Sequence, residues 1–399
     1  MNASRAIRSL ACIATLFGGL FVCSQAQATM TLTSYATNVR QFTLTTFASG
    51  FPNNGPGGIG PLGVAYVYDP VTQKDNVLVS DYVNGNIYVF DSHADNQIAS
   101  TSLASYGAGH AQAFAQVQNA NGFTYYLSDP PGNRIIQVTG LGAFAALIAS
   151  IPQANALVPF PAGLVGIHTG HLFADDGTAG NIWEIDPVSK TKVLFKAVGG
   201  TPDGLAISQD GQTIYVAFFG PGGNVRGYDL ATGSLTWTSP ATAGGPDGVA
   251  LGTGTLTGYA YVNYNSGDLW EFSLPPNAPA ANLIATGGSR GDWIASDSNA
   301  YCAPGHPSLL LTQTDRILRL DPPGGGFFGP PLASTQPVTI GPAPTAGSVS
   351  APASGSLALG ALLVCLGGLG WLVIHRSRAV NPATEARGGG SLRDATSSG

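Results

Sequence analysis

The residues in this sequence best suited to chemistry are aspartates. Pro202-Asp203-Gly204 and Pro246-Asp247-Gly248 share one motif, and Gly291-Asp292-Trp293 is a variant of it. Asp81, Asp129 and Asp175 form a second set, each closing an apolar run that reads as a strand before a turn. Oxygen ligands gathered in one place suit a hard cation such as Ca²⁺. The same aspartates also have a purely structural use, because a carboxylate beside glycine caps backbone N–H groups in a turn. Tyr82, Tyr126, Phe218 and Trp293, with Phe219 and Tyr264, fall close to these acids and offer planar faces for a sugar or another planar ligand. Apolar packing uses the same rings.

Other reactive side chains carry less. His168 and His171 are three apart in a segment that reads as a strand, so they are expected on opposite faces, unable to share a metal unless a turn intervenes. Cys302 belongs to no motif that pairs it with a histidine and reads as a small buried hydrophobe. A phosphate-binding P-loop and a His-Glu-x-x-His zinc motif are both absent.

The elements that must position the aspartates recur. Six strands with a polar first residue and apolar second and fifth positions can be aligned. They are Asn86-Ile87-Tyr88-Val89-Phe90-Asp91, Arg134-Ile135-Ile136-Gln137-Val138-Thr139, Asn181-Ile182-Trp183-Glu184-Ile185-Asp186, Asn224-Val225-Arg226-Gly227-Tyr228-Asp229, Asp268-Leu269-Trp270-Glu271-Phe272-Ser273 and Arg316-Ile317-Leu318-Arg319-Leu320-Asp321. Their first residues are 48, 47, 43, 44 and 48 apart. Each follows a strand that ends in a turn, as in TIYVAFFGPGG, where glycine supplies the positive φ of a tight connection.

Upstream of each pair lies an innermost strand. The best copies begin at the two Pro-Asp-Gly motifs; weaker ones are Pro61-Leu62-Gly63-Val64-Ala65, Pro161-Ala162-Gly163-Leu164-Val165 and Gly291-Asp292-Trp293-Ile294-Ala295. A period of this length with several strands per unit predicts a propeller. The sixth unit lacks an outer strand, because Pro322-Pro323-Gly324-Gly325-Gly326 opens a linker, and residues 41–47 stand unused before the first unit. Lending them to the last blade closes the ring and removes two exposed edges. The expected fold is all-β, a six-bladed propeller over residues 29–330 closed by its N-terminal strand; an open solenoid and a five-bladed ring are the alternatives. In such a ring the six aspartates should surround one mouth of the axis.

The Pro-Asp-Gly-Leu-Ala start and the Asn/Arg-Ile-x-x-Phe/Ile-Asp strand resemble NHL-repeat propellers and the gluconolactonase-like (senescence-marker) propellers. The resemblance implies a cation, possible calcium-dependent lactone hydrolysis, and a metal-binding aspartate at Asp203 or Asp247. In that family a first-blade glutamate and a mid-chain asparagine complete the ligand set. Here Leu62 stands at the glutamate's place, and no Asn-Gly-Leu motif occurs mid-chain. Asp203, Asp247 and Asp292 are the expected metal ligands.

Composition and the two ends set the context. Charged residues are 10%, glycines number 55 and the formal charge is −6, which fits short strands and tight turns and argues against a nucleic-acid partner. Arg5 and Arg8, an apolar run over 10–22 and Ala26-Gln27-Ala28 read as a signal peptide of residues 1–28. Residues 331–356 are rich in Pro, Gly, Ser and Ala and read as a linker. Residues 357–374 are 18 without a charge, long enough for a transmembrane helix. His375, Arg376 and Arg378 follow, placing a disordered tail, 375–399, in the cytoplasm. Val349-Ser350-Ala351-Pro352-Ala353-Ser354-Gly355-Ser356-Leu357-Ala358-Leu359, the glycine-rich 367–371 and the arginines resemble a PEP-CTERM sorting tail, which implies a membrane processing enzyme as partner. The expectation is an exported, membrane- or surface-anchored binding module for a protein, glycan or small molecule. A calcium-dependent hydrolase and a matrix scaffold are the alternatives.

Overall fold

Four-stranded antiparallel sheets follow one another along the chain, each built from consecutive strands paired edge to edge. The computed structural model describes residues 29–328 apart from 56, 70–71, 73, 103, 108–109, 120–121, 140–142, 162–163, 297–307 and 325. The expected signal peptide, linker, transmembrane helix and tail, and Cys302, lie outside the described residues. No helix among the described residues is long and apolar enough to cross a membrane.

Blade one consists of Pro61–Asp69, Lys74–Asp81, Asn86–Asp91 and Ala104–Gly107, and blade two of Phe114–Asn119, Gly122–Asp129, Arg134–Thr139 and Ala143–Ser150. Leu157–Pro159, Leu172–Asp176, Asn181–Asp186 and Thr191–Ala197 make blade three; Pro202–Ile207, Thr213–Phe218, Val225–Asp229 and Leu235–Thr238 make blade four. Blade five is Pro246–Gly254, Tyr259–Tyr264, Leu269–Ser273 and Ala281–Thr286. Blade six has three strands of its own, Ile294–Ser296, Leu309–Thr312 and Arg316–Asp321, and takes Thr43–Ser49 as its fourth. Each inner strand contacts the inner strand of the next blade, and that of blade six contacts that of blade one. The ring is closed and has six blades.

Inner and second strands are buried on both faces, since each blade is packed between two others; the outer strand Thr191–Ala197 is largely exposed. The closing strand pairs antiparallel with Arg316–Asp321, Thr43 opposite Asp321 and Ser49 opposite Arg316. Phe47 anchors it, fully buried, with its ring edge-on to Phe90 of blade one at 6.0 Å and the Arg319 guanidinium 4.8 Å from its centre. Replacing it (Phe47→Ala) should cost about 3–5 kcal/mol, measured as a shift of the denaturation midpoint at unchanged slope.

Three expectations need correction. The inner strand of blade three is Leu157–Pro159, not 161–165; Leu157 is buried and pairs with Ala174, whereas Val165 and Ile167 are exposed in the following loop. In blade six the strand begins only at Ile294, after the aspartate. The segment after Asp321 does not leave the ring at once: Gly326–Phe328 pairs with Gly252–Gly254 of blade five, and Phe328 packs edge-on against Tyr261 at 4.8 Å. The far edge of blade five is also covered. Thr31–Leu32 pairs with its outer strand, and Arg40 forms a 2.7 Å ion pair with the buried Glu271.

Candidate functional site at the axial mouth

At or just before the start of each inner strand one residue sits next to small neighbours, Trp293 in blade six being the exception. The six positions are Leu62, Gln112, Asn155, Asp203, Asp247 and Asp292, all buried. In blades one, four and five the pairing shifts there: Pro202 faces Phe218 and Gly204 faces Ala217, which leaves Asp203 outside the ladder. Similar shifts lie between Pro61 and Val64 and between Pro246 and Val249. Such a bulge re-aims one side chain and frees backbone groups.

Glycine in the Pro-Asp-Gly motif has a steric cause. A Cβ on Gly204 would overlap the carbonyl oxygen of Asp247, and one on Gly63 that of Gln112, in the next blade each time. A Cβ on Gly248 would lie 2.5 Å from the Ile294 backbone nitrogen. Inner strands converge so closely here that backbone meets backbone.

Second strands answer the bulge. Ser80 accepts from the Gly63 N–H at 3.0 Å and donates to the carbonyl of Ala111 in the next blade. Ser128 accepts from Ala113 at 2.8 Å and donates to the Asn155 carbonyl at 3.2 Å. Asp175 accepts from Ala156 at 2.7 Å, Thr312 from Trp293 at 2.7 Å, and Asn263 donates to the Trp293 carbonyl at 3.0 Å. These side chains stitch neighbouring blades together around the axis.

This register corrects the expected ring of six aspartates. Asp81 and Asp129 correspond not to Asp175 but to Asp176. All three cap their own turns, accepting from the N–H three residues on: Asn84 at 2.5 Å, Gly132 at 3.1 Å and Ala179 at 2.9 Å. Asp129 is further tied to Arg134 at 2.8 Å. Asp175 is one residue earlier, and in a strand that single step points the side chain to the opposite face.

Four carboxylates therefore share the mouth: Asp175, Asp203, Asp247 and Asp292. Burial, then Asp292, pushes Asp203 up to about 7, opposed by Gln112, Arg290 and Asn155. Burial, then Asp203 and Asp292, raises Asp247 well above the carboxylate range, with Asn265 opposing. Asp175 is likewise raised by burial and by Asp203. Asp292 is raised by burial, and Arg290, at 2.7 Å, holds it back. Gln112 donates to Asp203 at 3.3 Å and Asn265 to Asp247 at 2.8 Å. Asp175 Oδ2 and Asp247 Oδ1 are buried with no hydrogen-bond partner, as is Asn265 Oδ1. Buried acceptors left without donors are costly, and four carboxyls beside one guanidinium make a site short of positive charge.

Sequence reasoning found the three aspartates but missed Gln112, Asn155, Asn265 and Arg290. The repeated small–polar–small pattern, Ala111-Gln112-Ala113 and Ala154-Asn155-Ala156 beside Pro202-Asp203-Gly204, is the signal that would have found the first two.

Below the mouth the axis holds a cavity of about 260 Å³, lined by Val64, Ala115, Tyr126, Leu205, Trp293 and their neighbours. None of the four carboxylates lines it. Of the expected aromatic contacts, Tyr126 and Trp293 line this cavity. Phe218 instead lies under the Arg226 guanidinium, 4.2 Å from its ring centre, and Tyr82 packs against His110 at 5.3 Å. The four do not meet in one place.

Gly287-Gly288-Ser289-Arg290-Gly291 has the spacing of a nucleophile elbow. It follows an outer strand, leads into no helix, and Ser289 Oγ accepts from the Thr314 N–H at 2.9 Å, so it is a turn. His168 and His171, expected apart, are brought together by a turn over 166–170: both Nδ1 atoms lie on Glu184 Oε1, at 2.8 and 2.5 Å. Among the described residues this is the one place where three such side chains gather ligand atoms within 4.8 Å. The axial carboxylates are spaced more widely.

No protein-family model matches the sequence, and no curated relative does. Solved structures similar to the chain include two propeller enzymes and a hydrazine synthase. A gluconolactonase from Xanthomonas campestris is 13% identical, with a TM-score of 0.48 over 70% of this chain and 98% of that one. A luciferin-regenerating enzyme is 14% identical, with a TM-score of 0.48 over 72% and 98%, and the hydrazine synthase of Kuenenia stuttgartiensis is 11% identical, with 0.45 over 63% and 73%.

Proposed function

We propose that the chain is an exported, membrane- or surface-anchored propeller that acts as a binding module, with a divalent cation at its acidic mouth and its ligand on the axis. The observation that carries the cation is the pair of buried, unpaired oxygens Asp247 Oδ1 and Asp175 Oδ2 among four carboxylates. The donor types suit a hard cation, and the carboxylates, spaced more widely than 4.8 Å, would have to close on it. Asp203, Asp247 and Asp292 offer carboxylate oxygens, and the Gln112 and Asn155 amides, turned over, add carbonyl oxygens that Ca²⁺ accepts as readily. Such an ion, when bound, would supply the positive charge that Arg290 alone does not. Export and anchoring rest on the ends of the sequence: the basic and apolar start, and the uncharged stretch 357–374 before its arginines. The apolar cavity with Tyr126 and Trp293 in its wall suits a small molecule with a flat apolar face.

A calcium-dependent lactone hydrolase is the second reading, favoured by Asp203. In the metal-free site burial raises its carboxyl to about 7, the range of a general base at neutral pH, and a cation on the same oxygen would lower it. Burial weighs against it, since the four carboxylates keep between 0 and 8% of their surface exposed. Leu62 also places a methyl-tipped side chain where the ring could have carried a sixth oxygen ligand. A matrix scaffold is the third.

Calcium titration of the purified full chain by calorimetry tests the cation. One tight site is expected, lost in Asp203→Asn with Asp247→Asn; no heat and an unchanged melting temperature would remove it. A lactone panel and a glycan and small-molecule screen on the same protein separate the readings. Turnover abolished by Asp203→Asn supports the hydrolase, binding without turnover supports the module, and silence in both supports the scaffold.

A further inference from the structure

A second group of ligand-type side chains lies away from the acidic mouth. His168 and His171 sit in the loop between the inner and second strands of blade three, the end of the blade opposite Asp175. The loop is braced from within. Thr169 Oγ1 donates to the carbonyls of Gly166 (2.8 Å) and Leu164 (3.2 Å) and accepts from the Gly166 N–H. His171 N–H donates to the His168 carbonyl at 3.0 Å, and Gly170 takes a φ of +79° that a side chain would resist. The turn puts both imidazoles on one side.

Glu184 faces them from mid-strand, paired with Phe173 on one side and Val193 on the other, so its backbone is fixed by two ladders. The His168 ring lies between Phe160 and Phe173, at 5.7 and 5.5 Å. Both Nδ1 atoms converge on the same oxygen, Glu184 Oε1. With both Nδ1 protons spent on one oxygen, His168 is left with a buried Nε2 that has no partner.

We propose that His168, His171 and Glu184 bind a divalent transition-metal ion of the zinc class. Two imidazoles and one carboxylate are a donor set that zinc and its neighbours favour and that calcium and magnesium do not. Zn–N and Zn–O bonds of about 2.0–2.2 Å place the ligands of a tetrahedral ion about 3.3 Å apart. The nitrogens now 2.5 and 2.8 Å from the oxygen need to open by less than an ångström. An ion between them would take up both Nδ1 lone pairs and the carboxylate charge together. His171, with 28% of its side chain exposed, leaves a route to solvent and an open fourth position. Thr169 and Gly170, between the two histidines, line the axial cavity, so the ion would sit beside that cavity and not at the carboxylate mouth.

The test is Zn²⁺ titration of the metal-stripped full chain, with Co²⁺ absorption as a second readout. One equivalent is expected, giving tetrahedral Co²⁺ bands. His171→Ala and Glu184→Gln should each weaken it by more than the about 10–100-fold that loss of an outer partner costs, while Asp203→Asn and Asp247→Asn leave it intact. His171 is partly exposed, so its removal should spare the fold, which the unchanged far-ultraviolet dichroism would verify. Absence of Zn²⁺ binding in the parent chain, or affinity undisturbed by His171→Ala and Glu184→Gln, overturns the proposal. Zinc lost only in the aspartate variants also overturns it, placing the ion at the axial mouth instead.

Discussion

In the presence of a chelator, the melting temperature should fall as the pH is raised from about 5 to about 8, and calcium should abolish the fall. The sign follows from the raised carboxyls. The folded chain keeps a proton on Asp203 up to about 7, whereas the unfolded chain gives it up near 3.8. Between those values the folded state binds more protons, so stability is fully present below the lower value and is lost as pH rises through the upper one. Over that pH window Asp203 alone accounts for on the order of 3 kcal/mol, and Asp247 and Asp175 shift in the same direction. In a ring of this size that is a drop of roughly 5–10 °C. Asp247→Asn should invert the usual effect of a mutation. Without cation at high pH it should melt above the parent, having lost a buried charge; with calcium it should melt below, having lost a ligand. A flat pH profile in chelator would show that burial does not hold these carboxyls protonated in the folded chain.

The second large effect is steric. Gly204→Ala and Gly248→Ala should each cost about 3 kcal/mol or more, at the upper end of what overpacking does. The added methyl at 204 meets the Asp247 carbonyl, and that at 248 the backbone of Ile294; neither obstacle is a side chain that can swing away. Relief requires the inner strands to part, which moves Asp203 and Asp247, so cation affinity should fall with stability. Gly324→Ala is the control: nothing lies within 4 Å of its Cβ, and its cost should stay within about 0.5 kcal/mol. If Gly204→Ala melts like the control, the ring is wider at its mouth than the backbone shows.

The ring was legible in the sequence because the third strand of each blade buries its second and fifth residues and is bounded by a tight turn, so that its apolar positions and its start repeat together. The inner strands were harder. At the axis the requirement is a small neighbour on either side of one inward residue, and alanine meets it as well as proline and glycine do. Pro161-Ala162-Gly163 therefore reads as the start of a strand, whereas the strand begins at Leu157, just after Ala154-Asn155-Ala156. Strand alternation explains the misplaced acids: Asp175 and Asp176 are adjacent, one turned to the axis and one to its own turn, and register alone tells them apart. The pairing of His168 with His171 depended on a loop where extended chain was expected. Asn265 and Arg290 reach their aspartates from turns, carrying no periodic signal.

Thr43–Ser49 pairs with Arg316–Asp321. That pairing sets a clock on folding. The first of the two strands is made early, and its partner follows some 270 residues later, a delay on the order of tens of seconds at ordinary synthesis rates. Until then the two ends have nothing to hold each other, and blade six, with its neighbours, has no complete sheet to pack on. Contacts this distant in sequence are the slow ones. A nascent chain of this design cannot complete its ring until its last blade exists, although Thr31–Leu32 finds its partner in blade five somewhat sooner.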